Sequence, residues 1–405
     1  MIKIKSFEAG KGDAFLLSFG EDEDENIMID MGMPSTYTQC NSNDNSICIK
    51  EELLKLSKKG KKLDLLVVTH MHDDHIGGVL EFIQENGEEQ QIIKVNEVWH
   101  NSYRHLHFED KVSEDDSNSI RIMKNIVLQK TPKKENSINE ITAKQGSSLA
   151  GNLLRYKYNW NTSFDDSAVV VDTDTPLKIG TNIKIILLSP NKKKLNTLKK
   201  EWLKELRGKK LVFTDNPIFD DAFEFCLRNE YISDSKIMKI SSKNKMNFKK
   251  FAEEEKIPKD SNKTNGSSIA FIIEYKDKKL LFLADAHEDI IYENLKELKD
   301  SGYKLDFDLV KVSHHGGEHN TSNRLLNLIE AKKFLISTKG TKKGNEDIHP
   351  HLNVISKIIT KKTDYDRKIL FNYDVPILKN LEKYFELLET KYKIRIGIER
   401  ETILC

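Results

Sequence analysis

The sequence predicts an α/β layered fold with helices covering sheet, and three observations point to it. Strand-like and helix-like patterns alternate regularly after residue 265. The run Leu63–Val68 is apolar apart from Asp64, as a strand buried on both faces would be. The first thirty residues read as paired strands, with Ile2–Phe7 alternating and Ala14–Phe19 and Ile27–Met31 apolar.

Between the second and third of these strands, the acidic run Glu21–Glu25 reads as a solvated hairpin loop. A helix is expected over Ile49–Lys58, with Leu53, Leu54 and Leu56 on its buried side, and another from Gly77 to Ile83. A strand follows around Ile92–Trp99. Later strands are expected at Ser268–Tyr275, Lys279–Ala284, Phe307–Ser313 and Phe334–Ser337. Helices are expected at Glu288–Lys299, Ser322–Ala331 and Leu352–Lys361, and the tail Leu378–Cys405 adds a helix (Leu381–Thr390) and a strand (Lys393–Ile398). Two stretches, about 105–165 and 191–265, are rich in Lys, Asn, Ser, Asp and Glu and read as insertions in a single domain spanning 1–405, with a C-terminal extension from about 378.

Composition narrows the function classes. The 65 basic and 64 acidic side chains leave a formal charge of +1, which argues against a protein held to nucleic acid mainly by a global positive field. No run of about 18 uncharged apolar residues exists, so no membrane association is expected. The N-terminus lacks the apolar core of a signal peptide. Four scattered cysteines suit neither a disulfide scaffold nor a CxxC metal site, and a reducing, cytoplasmic location is the expectation.

The sharpest signal is His70-Met71-His72-Asp73-Asp74-His75, directly after the buried strand. With 12 histidines in 405 residues, such a match is expected by chance on the order of 10⁻³ times per chain. At a strand end, His70 and His72 can point the same way and grip one cation. The turn then carries Asp74 and His75 toward a second. Imidazole with carboxylate suits Zn²⁺ first, with Mn²⁺ or Fe as alternatives. Two further apolar strands end in ligand-type residues, Leu280–Ala284 before Asp285 and Leu309–Ser313 before His314-His315-Gly316. Strand ends that share one sheet edge bring such residues together. Asp285 could then bridge two metals, and His314 or His315 complete the second.

These motifs resemble the metallo-β-lactamase superfamily of di-metal hydrolases, whose hallmark is the His-x-His-x-Asp-His loop. Within it the likeness is greatest to the hydrolase domain of DNA-uptake competence channel proteins. It extends through Gly10-Lys11-Gly12-Asp13-Ala14, Ile27–Gly32, Asn265-Gly266-Ser267-Ser268, Leu283-Ala284-Asp285, Val312–Gly316 and His349-Pro350. The resemblance implies an αββα four-layer sandwich and two divalent metal ions. It would place His70 and His72 on the first metal, Asp74, His75 and His314 on the second, and Asp285 between them. Asp30 would support the loop without ligating, and His315 would stand behind it or face substrate. Many members of the superfamily add a first-site histidine after a mid-domain strand. Here Ser189-Pro190 is followed by Asn191, leaving His100 as a possible substitute.

Asp74 and His349 are the candidate catalytic residues, His349 for a substrate or proton-transfer role. His105 and His107 read as solvated, and His287 as a helix cap or exposed. Gly10-Lys11-Gly12-Asp13 lacks P-loop spacing and reads as a tight turn. The lysine runs 192–194 and 243–250, interleaved with Trp202 and Phe248, could meet a polyanion. The leading expectation is a phosphodiesterase or nuclease acting on phosphate esters or nucleic acid. A lactonase or amidase for a small metabolite is the second. The third is a metal-binding component of a bacterial phage-defence-type assembly, meeting partner proteins through the insertions.

Overall fold

A computed structural model describes residues 1–38, 48–108, 116–130, 148–171, 176–205, 216–228, 246–253, 258–340 and 349–405. Of the lysine run 243–250, residues 243–245 lie outside the described residues.

The first sheet uses β1 (Ile2–Ser6), β2 (Ala14–Phe19), β3 (Glu25–Met31), β4 (Leu65–Val67) and β5 (Val98–Trp99). The second begins with β6 (Leu177–Ile179), β7 (Ile183–Ser189), β8 (Ala270–Tyr275) and β9 (Lys278–Phe282). A small parallel pair, β10 (Asp306–Phe307) and β12 (Glu330–Ala331), stands apart. The chain continues with β11 (Leu309–Lys311), β13 (Lys333–Ile336), β14 (Arg367–Phe371), β15 (Ile394–Ile398) and β16 (Glu401–Leu404). The strand orders are β16-β1-β2-β3-β4-β5 and β15-β14-β13-β11-β9-β8-β7-β6.

Side-chain parity decides how the sheets stack, because successive residues of a strand point to opposite faces. Phe15, Leu17, Phe19, Ile27, Ile29, Leu65 and Val67 meet Phe271, Ile273, Leu280 and Phe282 in one cluster between the sheets. The alternate residues Leu16, Met28, Leu66 and Val68 face outward beneath Leu53, Val79, Phe82 and Ile83. These come from the helices Ile49–Lys58 and Asp73–Asn86. Ile272, Leu281, Val310 and Phe334 likewise face outward beneath Ile291, Leu295, Val354 and Ile358 of the helices Glu288–Asp300 and Leu352–Thr360. Four layers result, helix on sheet on sheet on helix, the sandwich that the sequence resemblance implies.

The polar stretches hide two kinds of packing. Leu149, Leu153, Tyr158 and Trp160 join the outer core of the first sheet. A further core gathers Tyr103, Leu106, Met123, Leu198, Trp202, Ile218, Phe219 and Phe223, and it includes Met71 from the centre of the histidine motif. Trp202 and Phe248 are therefore packing residues, which removes the aromatic half of the polyanion reading. The helix Pro217–Leu227 closes this lobe. The C-terminus crosses between sheets: β15 pairs with β14 and β16 with β1, a last strand that the sequence pattern did not reveal. Cys48 is disulfide-bonded, so the four cysteines are not all free thiols. Among the described residues no helix is long and apolar enough to cross a membrane.

Candidate metal centre

The first sheet supplies the histidine motif. Strand β4 pairs in parallel with β3 and β5, so the chain leaves its C-terminal end through Thr69 and His70. Asp30, at the end of β3, is fully buried with a φ of +51°. Its Oδ1 accepts from the Thr69 backbone N–H at 2.8 Å, and its Oδ2 accepts from Thr69 Oγ1 at 2.6 Å and His75 Nδ1 at 2.8 Å. The His75 ring is thereby fixed with Nε2 turned to the centre. The helix Asp73–Asn86 begins within the motif, and Arg228 at the end of the lobe helix binds Asp73, with Nε 3.1 Å from Oδ1. Gly12, in the first hairpin, is needed for close approach, since a Cβ there would lie 1.5 Å from the Asp74 carbonyl oxygen.

The second sheet supplies the opposite wall. Asp285 follows Ala284 after β9, and His314 and His315 follow β11, which pairs in parallel with β9. Ala284, His314 and His315 all adopt positive φ (45°, 46° and 54°). Such conformations are uncommon outside glycine and cluster at functional sites. They converge on one oxygen. Asp285 Oδ2 lies 3.5 Å from His75 Nε2, 3.5 Å from His315 Nε2, 3.8 Å from His70 Nε2 and 3.8 Å from His314 Nε2. His70 Nε2 is 3.1 Å from His72 Nδ1, and His315 Nε2 is 3.9 Å from Asp74 Oδ2.

Four sets of three ligand-type atoms lie close enough to share a cation: His70, His75 and Asp285; Asp74, His75 and His315; Asp13, Asp285 and His315; Asp13, Asp30 and His75. His315 thus stands with Asp74 and His75; the residue pattern left His314 or His315 open for that place, and the resemblance assigned it to His314. Among the described residues His72 and His314 fall outside these sets but border them. His349 is next to His314, ring centroids 4.9 Å apart, with Nδ1 buried and without a hydrogen-bond partner.

The residues fit a pair of cations on two grounds. First, the buried atoms His75 Nε2, His315 Nε2 and Asp285 Oδ1 have no hydrogen-bond partner among the described residues, and such buried groups demand one. Second, the electrostatics show a carboxylate cluster that recruits positive charge. Burial opposes ionisation of Asp285, yet His315, His75 and His314 together hold its carboxyl well below the ordinary range. Burial likewise opposes charge on His315, but Asp285 and Asp13 raise its imidazole to about 9. His75 is raised well above its usual value against the same burial, by Asp285 and Asp30. Burial keeps His72 neutral, at about 4.

Several expected roles are revised. The Nε2 of His100 donates to Glu224 Oε1 at 2.9 Å in the lobe, so that nitrogen serves the lobe instead of standing in for the missing histidine. His105 is buried, its Nδ1 accepting from the Ser102 N–H at 3.0 Å, where a solvated ring was expected. His287 is buried too, with Nε2 donating to the Asn262 carbonyl at 2.7 Å and no side-chain cap bond. Sequence reasoning passed over Asp260 and Asn320. Asn320 Oδ1 accepts from His314 Nδ1 at 2.9 Å while its Nδ2 donates to Asp260 Oδ2 at 2.9 Å, which turns His314 Nε2 inward. It also missed Lys311 and the role of Asp13; a lone lysine inside an apolar strand was the available signal.

The family model of the metallo-beta-lactamase superfamily matches residues 8–138, which hold the His70–His75 motif. The match covers less than half of the chain. No curated protein matches it significantly. Among solved structures it is similar to CmlA, a diiron beta-hydroxylase from Streptomyces venezuelae, at 12% identity and TM-score 0.39, covering 99% of this chain and 54% of that one. It is also similar to the metallo-beta-lactamase fold protein YhfI from Bacillus subtilis, at 10% identity and TM-score 0.36, covering 98% of this chain and 95% of that one. A protein of unknown function from Enterococcus faecalis V583 matches at 9% identity and TM-score 0.26, covering 98% and 87%. The chain spans about half the length of CmlA.

Proposed function

We propose that this protein is a metal-dependent hydrolase that holds two divalent cations, zinc first, and cleaves phosphodiesters. The observation that carries the reading is the meeting of His70, His75, Asp74, His315 and Asp285 from two sheets, with the Nε2 atoms of His75 and His315 unpartnered among the described residues. His70, His72, His75, His314 and His315 would supply imidazoles, and Asp74 and Asp285 carboxylates. Divalent cations held there would supply Lewis acidity, lowering the pKa of a bound water and polarising the electrophile.

The chain's own residues do the rest. Asp30 and Asn320 lock the ring orientations of His75 and His314, which leaves their Nε2 lone pairs for ligation. Asp74 is the more open carboxylate, about a quarter exposed, and is placed to take a proton from the attacking water. His349, against His314, would touch the substrate as a neutral ring, because burial and the neighbouring imidazoles push it well below its usual value. The preference for a phosphodiester comes from the resemblance of the motifs, since the ligand set itself serves several ester and amide substrates.

Elemental analysis of the purified protein, with assays on bis-p-nitrophenyl phosphate, single-stranded DNA, lactones and amides, tests the reading. Two metal equivalents and phosphodiester cleavage lost in His72→Ala and Asp285→Ala are expected. Turnover of lactones alone would move the assignment to a lactonase, and a metal-replete protein inert on the whole panel would end it.

A further inference from the structure

Lys311 lies in the middle of the second sheet with its side chain about 1% exposed. A lysine is almost never buried to that degree unless it is paired. Its Nζ forms an ion pair with Asp13 Oδ2, donates to the Ala284 carbonyl at 3.2 Å and stands 3.9 Å from Asp285 Oδ1. Asp13 is itself buried and comes from the first hairpin. Its other oxygen is 3.4 Å from His315 Nδ1, the nitrogen that also donates to the Ser337 carbonyl at 3.0 Å.

The two oxygens of Asp285 therefore meet different neighbours. Oδ2 faces four imidazoles between 3.5 and 3.8 Å away. Among the described residues Oδ1 has no hydrogen-bond partner, and it lies 3.9 Å from the ammonium of Lys311. A symmetric carboxylate would be free to swing and to chelate one metal with both oxygens. A fixed positive charge behind one oxygen removes that freedom.

On the basis of the two-cation reading above, we propose that Lys311, anchored by Asp13, is a positioning residue that holds Asp285 Oδ1 back and leaves Oδ2 alone turned to the imidazoles, where it would serve as a ligand. The pair also sets charge. Lys311 cancels one negative charge among the carboxylates of Asp13, Asp74, Asp260 and Asp285 that crowd the centre. Asp13 adds a link across the sheets, because it ties the first hairpin to both His315 and Lys311.

The experiment is metal binding by wild type, Lys311→Arg, Asp13→Asn and the double variant Asp13→Asn/Lys311→Met, which removes both buried charges together and leaves neither unpaired. Zinc is titrated against a chromophoric chelator, cobalt-loaded protein is read by its visible absorption, and melting of the metal-free proteins reports folding. The inference expects the double variant to melt near wild type, to bind its weaker zinc at least 10-fold less tightly and to show an altered cobalt spectrum. Asp13→Asn should lie between, and Lys311→Arg should retain most of the affinity. A merely structural pair would lower the melting temperature and leave affinity and spectrum unchanged in the folded protein. That result in either the double variant or Asp13→Asn overturns the inference. Wild type that takes up no metal would instead overturn the function on which it rests.

Discussion

Asp30→Asn tests how far the centre depends on a residue that touches no cation. The change is nearly isosteric, so its effect is confined to hydrogen bonding. Asp30 Oδ2 accepts two donors, Thr69 Oγ1 at 2.6 Å and His75 Nδ1 at 2.8 Å, while Oδ1 accepts the Thr69 N–H at 2.8 Å. With the amide oxygen kept on the Thr69 N–H, the new NH₂ faces His75 Nδ1. That nitrogen must then become an acceptor, and the neutral ring carries its proton on Nε2, the atom 3.5 Å from Asp285 Oδ2. The opposite amide orientation sets NH₂ against a backbone N–H, which is worse. Loss of such a supporting partner typically weakens metal binding about 10–100-fold, or about 1.4–2.7 kcal/mol. Folding should change little, because burial pushes the Asp30 carboxyl upward against the pull of His75 and Thr69, and a neutral group is well tolerated there. Competition titration with a zinc chelator measures the effect, and melting of the metal-free protein is the control. A folded variant that binds zinc as tightly as wild type would refute the claim that Asp30 sets the His75 tautomer.

Gly12→Ala places a Cβ 1.5 Å from the Asp74 carbonyl oxygen, so the hairpin must move away from the metal loop; a loss of at least about 2 kcal/mol by denaturant titration is expected, with weaker metal binding. In the lobe, burial, aided by Glu224 and Asp220 against a hydrogen bond from Ser148, raises the Asp221 carboxyl to about 6. A folded value above the unfolded one, about 3.9, means that the native state holds the proton longer, so stability is lost as pH rises from about 4 to about 6. Asp221→Asn should therefore gain on wild type across that window, by up to about 3 kcal/mol, in melting curves from pH 4 to 7; equal slopes in the two proteins would contradict it. Trp202→Ala, at 1% exposure in the lobe core, should cost about 3–5 kcal/mol in the same measurement.

Much of the architecture was legible because apolar periodicity follows burial. The runs Ala14–Phe19, Ile27–Met31 and Leu280–Ala284 became strands within a residue or two of their expected ends. The His70–His75 motif was legible for a related reason: its ligand-type residues are contiguous. Residues whose roles depend on distant partners were not. His100 looked like a spare ligand until Glu224, far along the chain, was seen to hold it. Trp202 looked like a surface aromatic among lysines, yet helix packing turns it inward. His314 and His315 are neighbours in sequence, and the left-handed backbone at both positions decides which of them stands beside Asp74.

The sequence by itself determined the alternation of strands and helices, the histidine-rich turn at a buried strand end and the absence of an overall charge bias. Each is a local property, carried by residue type and by spacing along a few turns or pleats. The tertiary structure alone decided that Asp285 faces the imidazoles from the opposite sheet, that Asp13 meets Lys311, and that Met71 anchors the motif in a separate lobe. Those pairings join positions far apart in the chain. Nothing in local propensity encodes them, because they exist only once two sheets have stacked and brought their strand ends to one edge.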